Sequence, residues 1–390
     1  MEIVFVAAKR TPFGSFGGSF LGLTATDLCV EAAKAAIAQS GVAREQFDHA
    51  VIGNVMQTST DAAYLARHVA LRSNLPQTIA AVTVNRLCGS GFEAIADGAR
   101  RLKLGEAQVV LVGGTESMSQ APFALRGVRF GYKMGHQDME DTLLAGLTDS
   151  FAKMAMSGTA EKLAEIHKIS REACDEYSAL SHARAAKFLS SPHYSEEVVP
   201  VEIFSKKGNV RIEKDEHVRP DCTPEGLKKL RPVFKKDGVI TAGNASGMVD
   251  GACALVMTTL DFANANRLTV LGRFVDGFAI GCDPSIMGIG PVPAIRHLVE
   301  KHRLSMRSLK AVEVNEAFSS QFLAVEKELG LPREITNTGG GAIAIGHPLG
   351  ASGARLVAHL LYDLKARGGG QAIGSACIGG GQGIAVLIES

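Results

Sequence analysis

Short apolar runs alternate along the chain with stretches in which apolar residues recur every three or four positions. Residues 3–8, 50–53, 83–85 and 109–113 read as strands, and residues 27–40 and 91–104 as helices. This rhythm predicts an α/β fold with largely parallel strands. The C-terminal stretch repeats it in one register, 262 residues further on: 47–53 falls on 309–315, Ser90-Gly91 on Ser352-Gly353, helix 91–104 on 353–366, and strand 109–113 on 371–375. One offset kept through strand, turn, helix and strand predicts an internal duplication, the alternative being two α/β units that merely share element lengths. Between the halves, residues 115–240 are richer in Met, Lys and Arg. They hold amphipathic helices around 159–167 and 172–189 and a basic segment from Lys206 to Lys236. This stretch reads as an insertion covering a site that the two halves build. The expected division is 1–115 and 241–262 for the first half, 116–240 for the inserted loop domain, and 263–390 for the second half.

At 390 residues the chain exceeds what one core holds. Hydrophobic residues at 46% and charged residues at 21% exclude a disordered chain. A formal charge of +1 supplies no global field for gripping nucleic acid or an anionic membrane, so an anionic ligand must be met locally. The seven cysteines are scattered without CxxC spacing, which argues against a disulfide framework or a metal site and for a reducing compartment. The first apolar run is too short for a signal peptide and no stretch is long enough to span a bilayer. A soluble, cytoplasmic protein is expected.

Four motifs carry chemistry. In Asn85-Arg86-Leu87-Cys88-Gly89-Ser90-Gly91, Cys88 stands between a strand and a helix, where aligned N–H groups favour the thiolate. Cys88 is therefore a candidate nucleophile or, alternatively, a packed small residue. In the glycine-rich run from Gly339 to Gly353, His347 falls on Asn85 by the same offset, so a histidine and a cysteine occupy twin turns, a nucleophile-and-base arrangement. A structural histidine is the alternative. Cys377 ends a strand and enters Ile378-Gly379-Gly380-Gly381, a turn offering free N–H donors, unless it is only a buried thiol. Asn315, in Val314-Asn315-Glu316-Ala317-Phe318, could orient a water or polarise a carbonyl, or simply cap a turn.

In this order and spacing the four motifs resemble the thiolase family, from residue 6 to the C-terminus. Further matching segments are 113–119, 241–247 and 287–293. The resemblance is strongest to 3-ketoacyl-CoA thiolases of fatty-acid oxidation. It implies a thiolase-like α/β fold, two duplicated halves in five layers with the inserted loop domain. It implies an acetyl-CoA C-acyltransferase that cleaves 3-ketoacyl-CoA with coenzyme A as co-substrate and no permanently bound cofactor. Cys88 would become acylated, with His347 as its base and Cys377 as the acid that protonates the acetyl-CoA enolate. One oxyanion hole would be His347 with a water held by Asn315, the other the N–H groups of Cys88 and Gly379. Ser246 and Leu147 match positions along the CoA chain, and Phe234, Met156 and Met287 match pocket walls. Basic residues between Lys206 and Lys236 would meet CoA phosphates. Acetoacetyl-CoA thiolases acting in condensation are the alternative, weakened because Ala155 stands where they commonly carry histidine. The family also implies a homodimer or homotetramer.

Overall fold

The computed structural model describes residues 1–204 and 208–390, so Lys206, at the start of the basic segment, lies outside the described residues. A ten-stranded sheet runs in the order Ala311–Val314, Gln371–Ile378, Gln382–Glu389, Gly272–Gly281, Ile3–Arg10, Val249–Thr259, Val109–Ser117, His49–Gly53, Ala80–Val84, with Gly14–Ser15 beside Val249–Thr259. The halves of this sheet belong to the two halves of the chain and join where Ile3 to Phe5 pair with Gly272 to Phe274. The expectation of largely parallel strands is corrected. Among the strands of the described residues, only His49–Gly53 with its two neighbours, and Ala311–Val314 with Gln371–Ile378, run parallel. The other principal pairings are antiparallel. Helical crossovers impose parallel pairing only on the strands they connect. The long insertion instead returns the chain as Val249–Thr259, antiparallel to the strand it left.

The duplication is written in the strand register. Ile52 pairs with Gly113 in the first half and Val314 with Ser375 in the second, each partner displaced by 262 residues. Where Ile3–Arg10 meets Val249–Thr259 the register slips between Phe5 and Ala7, and where Gly272–Gly281 meets Gln382–Glu389 it slips between Phe274 and Asp276. A bulge at the same step of the two strands that join the halves is a feature of the repeat.

Alternate residues of the strands face opposite apolar layers. Val110, Val112, Leu255, Met257, Ile384 and Val386 point inward onto Phe92, Ile95, Leu356 and Leu360 of two central helices, Ser90–Leu104 and Leu349–Ala366. Val109, Leu111 and Val256 point outward onto Ala25–Ser40 and Leu65–Arg72, while Ala385 and Leu387 point onto Pro291–Lys301 and Ser319–Leu329. The result is five layers, helix, sheet, helix, sheet, helix.

Gly91 and Gly353 lie where the two central helices meet. A Cβ on Gly91 would sit 2.4 Å from the Ala354 nitrogen, and one on Gly353 2.4 Å from the Phe92 nitrogen. These twin glycines let both helix N-termini meet backbone to backbone, which brings together the turns that precede them. The insertion is tied down by a buried ionic cluster: Arg10 reaches Asp215 at 2.7 Å and Glu197 at 2.9 Å, and Glu197 also holds His359 at 3.0 Å.

Candidate active site

The turn before the first central helix is held by its own side chains. Leu87 has φ +47°, a left-handed conformation unfavourable for leucine, and Asn85 Oδ1 accepts its N–H at 2.9 Å. Ser90 Oγ accepts from the Arg86 N–H at 2.8 Å and donates to the Leu87 carbonyl at 2.7 Å. Arg86 pairs with Glu93 at 2.8 Å and donates to Gln382 Oε1 of the other half at 3.2 Å. Cys88, half-buried, follows this left-handed residue and presents its thiol beside Gly379, whose backbone N–H is directed at the sulfur. The thiol does not behave as the helix terminus alone predicts. Burial pushes it up to about 11, against the pull of the Gly379 and Cys88 N–H groups. The lowering expected from the helix terminus is outweighed by burial.

The twin turn carries His347, whose N–H donates to the Gly247 carbonyl at 2.8 Å. Its ring is buried between Ser352 Oγ, 2.6 Å from Nδ1, and Asn315 Nδ2, 3.3 Å from Nε2. Burial, with Arg355 nearby, lowers the imidazole to about 4, so it is neutral and able to accept a proton throughout the neutral range. Asn315 follows the strand Ala311–Val314 and its N–H continues the parallel ladder to the Ser375 carbonyl at 2.9 Å. Its Oδ1 is buried with no hydrogen-bond partner among the described residues. The turns do not descend from identical chain paths. In the first half Ala80–Val84 runs straight into Asn85, whereas in the second a bridge at Thr336, a glycine run and the short helix Ala342–Ile345 intervene before His347.

Cys377 is fully buried near the end of Gln371–Ile378 and packs with Met287 and Ala317, with Met156 and Phe318 alongside. Burial raises its thiol far above the ordinary value, and the neighbouring Cys88 and Cys282 thiols push the same way. Leu147 shares an apolar cluster with Cys88, Met56, Met118 and Leu349, and its carbonyl accepts the Met156 N–H at 3.0 Å. Ser246 donates its N–H to the Ala317 carbonyl at 3.0 Å, so its segment borders the Asn315 loop. Phe234 stands apart, 53% exposed and outside the apolar clusters around Cys88 and Cys377. The structure thus gathers Cys88, Gly379, Cys377, Met156 and Met287 on one side and His347, Asn315 and Ser246 on the other. Among the described residues no group of three or more His, Cys, Asp or Glu side chains is arranged to hold a metal ion, and no helix is long and apolar enough to cross a membrane.

Glu116, within the matching segment 113–119, has a role that the sequence did not reveal. This buried carboxylate accepts from the N–H groups of Met56 at 3.0 Å, Val55 at 3.2 Å and Gly350 at 2.9 Å, and from Asn54 Nδ2 at 3.0 Å. Burial outweighs those bonds and raises it to about 7. It joins the loop after His49–Gly53 to the turn carrying His347. Ser352 was also missed, and its position as the twin of Ser90 was the available signal.

The buried histidines make stability acid-sensitive. His347 and His182 are each lowered to about 4, so between pH 6.5 and pH 4 the unfolded chain binds protons that the folded chain refuses. Stability falls as pH drops through that window, by about 3 kcal/mol per histidine once it is fully crossed. Urea midpoints should therefore be lower at pH 5 than at pH 7, and His182→Gln should flatten the dependence. A pH-independent midpoint contradicts the assignment of neutral histidines.

The sequence matches the thiolase N-terminal domain over residues 3–261 and the thiolase C-terminal domain over residues 268–390. The chain belongs to the thiolase family. It is 53% identical to the mitochondrial 3-ketoacyl-CoA thiolase of Homo sapiens, covering 100% of this chain and 98% of that protein. It is 41% identical to the acetyl-CoA acetyltransferase of Rhizobium meliloti over the same shares of both chains. The crystal structure of the human mitochondrial enzyme in complex with CoA superposes with a TM-score of 0.97 at 53% identity, covering 100% of this chain and 98% of that one. The expected cytoplasmic location is overturned by these relatives. The human protein and four further mammalian ones, at 52–53% identity, are mitochondrial by name. Free cysteines and the lack of a long apolar segment are compatible with either compartment and could not separate them.

Proposed function

We propose that the chain is an acyltransferase that cleaves 3-ketoacyl-CoA with CoA, and that Cys88, His347, Cys377, Asn315 and Gly379 perform the reaction. The observation that carries this reading is the convergence of two thiols, Cys88, which meets the Gly379 N–H, and its neighbour Cys377, beside the twin turn that holds a neutral histidine. Transfer of the Cys88 proton to His347 Nε2 accompanies attack of the sulfur on the keto carbon. The tetrahedral oxyanion then collapses, the bond between the α-carbon and the former keto carbon breaks, and the departing enolate of acetyl-CoA takes a proton from Cys377. The incoming CoA thiol gives its proton to the Cys377 thiolate and attacks acyl-Cys88, which leaves as a thiol with the proton returned by His347.

A thiol at about 11 and an imidazole at about 4 do not exchange a proton at rest, because the gap amounts to roughly 10 kcal/mol. The transfer therefore belongs to the step in which carbon–sulfur bonding removes charge from sulfur. The N–H groups of Cys88 and Gly379 would stabilise the acyl oxyanion. The repeat supports this assignment from within the fold. Gly350 is the twin of Cys88, its turn is closed by the same bond (Gly89 N–H to the Arg86 carbonyl, Ala351 N–H to the Pro348 carbonyl), and its N–H binds a carboxylate oxygen of Glu116 at 2.9 Å. In the other hole, His347 would act with a water accepted by the unpartnered Asn315 Oδ1.

CoA would lie along Leu147 and Ser246, with Met156 and Met287 lining the acyl end. Phe234 would have to close onto the ligand from its exposed loop. Large apolar side chains of the insertion, Phe130, Met134 and Phe151, are 91%, 104% and 86% exposed and offer a surface for association into a dimer or tetramer. The proposed division of the chain keeps residues 116–240 as the unit that covers the site. Fatty-acid β-oxidation is the setting this activity fits.

The test is thiolysis of 3-ketoacyl-CoAs of four, eight and twelve carbons. Ala155 is exposed at the head of Met156–His167, where a small side chain leaves room for a longer acyl group. Each added buried methylene contributes about 0.8 kcal/mol. kcat/KM for medium chains should at least equal that for the four-carbon substrate. A steep fall beyond four carbons would favour the acetoacetyl-CoA thiolase reading.

A further inference from the structure

Two serines at twin positions of the repeat, Ser90 and Ser352, each bond to the turn that carries one reacting group. Ser90 Oγ bridges the Arg86 N–H and the Leu87 carbonyl, spanning the left-handed residue immediately before Cys88. Ser352 Oγ lies 3.0 Å from the Pro348 carbonyl and 2.6 Å from His347 Nδ1, and the hydroxyl and the ring are both buried. A serine hydroxyl has one hydrogen. The Pro348 carbonyl can only accept, and a hydroxyl hydrogen directed to it leaves the serine oxygen to accept from the imidazole. Nδ1 then carries the ring proton, and Nε2 holds the lone pair, facing Asn315 Nδ2 at 3.3 Å, an amide that can only donate. Both ring nitrogens therefore meet partners that agree on one tautomer.

We propose that Ser352 is a positioning residue that fixes His347 in the tautomer with a basic Nε2, and that its twin Ser90 holds the Cys88 turn. One duplicated hydroxyl thus serves the base in one half and the nucleophile in the other. The sequence signature is already visible, since Ser90 and Ser352 stand in the same register of the repeat, within the first turn or so of the two central helices. The inference rests on the reading of Cys88 as nucleophile and His347 as base. It adds that His347 loses function when the tautomer is released, even with the ring still present. Burial makes this matter, because no solvent stands ready to replace the acceptor on Nδ1.

The experiment compares Ser352→Ala, Ser352→Thr and His347→Ala in thiolysis, together with ¹⁵N chemical shifts of the His347 ring in histidine-labelled wild-type enzyme. Ser352→Ala should lower kcat by about 10²-fold, less than the loss seen when a catalytic histidine is forced wholly into the wrong tautomer. KM for both substrates should stay within about twofold of wild type, as expected for a group that does not touch substrate. Ser352→Thr, which keeps the hydroxyl, should recover most of kcat. In the wild type, Nδ1 should show the shift of a protonated nitrogen and Nε2 that of an unprotonated one. Ser90→Ala should slow acylation of Cys88 without changing KM. An unchanged kcat in Ser352→Ala, or a wild-type ring protonated on Nε2, overturns the inference. The shift measurement decides even where a variant fails to fold. Full activity in His347→Ala would instead overturn the underlying reading of the base and leave the tautomer assignment standing.

Discussion

Cys88→Ala should abolish acyl transfer, with turnover reduced by at least about 10⁴-fold, as for other enzymes that lose a covalent nucleophile. The fold should survive. Cys88 is half-buried in a turn whose own bonds run through Asn85, Arg86, Leu87 and Ser90, and removing a sulfur breaks none of them. Incubating the wild type with a radiolabelled acyl-CoA should label a peptide containing Cys88, and the variant should take up no label. The outcome that sinks the assignment is a label found on Cys377 with Cys88 unmodified. The elevated thiol makes a second expectation. Since burial pushes Cys88 up to about 11, the resting protein carries little thiolate, and on the proposed mechanism acylation should draw on His347 during the attack. Retention of the rate in His347→Ala would then require another base. The nearest carboxylate with a suitable affinity is Glu116, raised to about 7, but its oxygens are held by three backbone N–H groups and Asn54.

The repeat was legible because one register survives in particular residues. Gly91 and Gly353 must both lack a side chain for the central helices to touch, and the pairing of Ile52 with Gly113 is copied by Val314 with Ser375. The layer order was harder to read. Val109 to Val112, Cys253 to Met257 and Ile384 to Ile388 are apolar at every position because both faces of these strands are covered, so the period of two that tells inward from outward is erased. Strand direction was misjudged for a related reason, since apolar runs carry no sign of polarity. The twin turns that carry Cys88 and His347 were legible, but the effect of burial on the two side chains was not. A helix N-terminus predicts a lowered thiol, and only the packing of Leu87, Ile378 and Met156 around the turn shows that desolvation wins. Ser352 and Glu116 were unreadable for want of a partner. A serine becomes a tautomer lock only when a ring nitrogen is found 2.6 Å away.

Cys377→Ala should produce a defect in one half of the reaction only. Cys377 is fully buried, and burial together with the Cys88 and Cys282 thiols holds it protonated, which is the state needed to give a proton to a carbanion. It packs against Met287 and Ala317, separate from the turn that carries His347. Acylation of Cys88 from a simple acyl-CoA moves no α-carbon proton, so the variant should still form the acyl-enzyme at a rate within about fivefold of wild type. Thiolysis, which cannot finish until the enolate is protonated, should fall by about 10³-fold, within the range for loss of a general acid. Exchange of acetyl-CoA methyl protons with deuterated water should fall in parallel, because it uses the same thiol as base in the reverse direction. Mass spectrometry of the acyl-enzyme and proton NMR of the methyl group read the two halves independently. Exchange at the wild-type rate would remove Cys377 from proton transfer, and loss of acylation together with exchange would show that its place is structural, through its packing under the Cys88 turn.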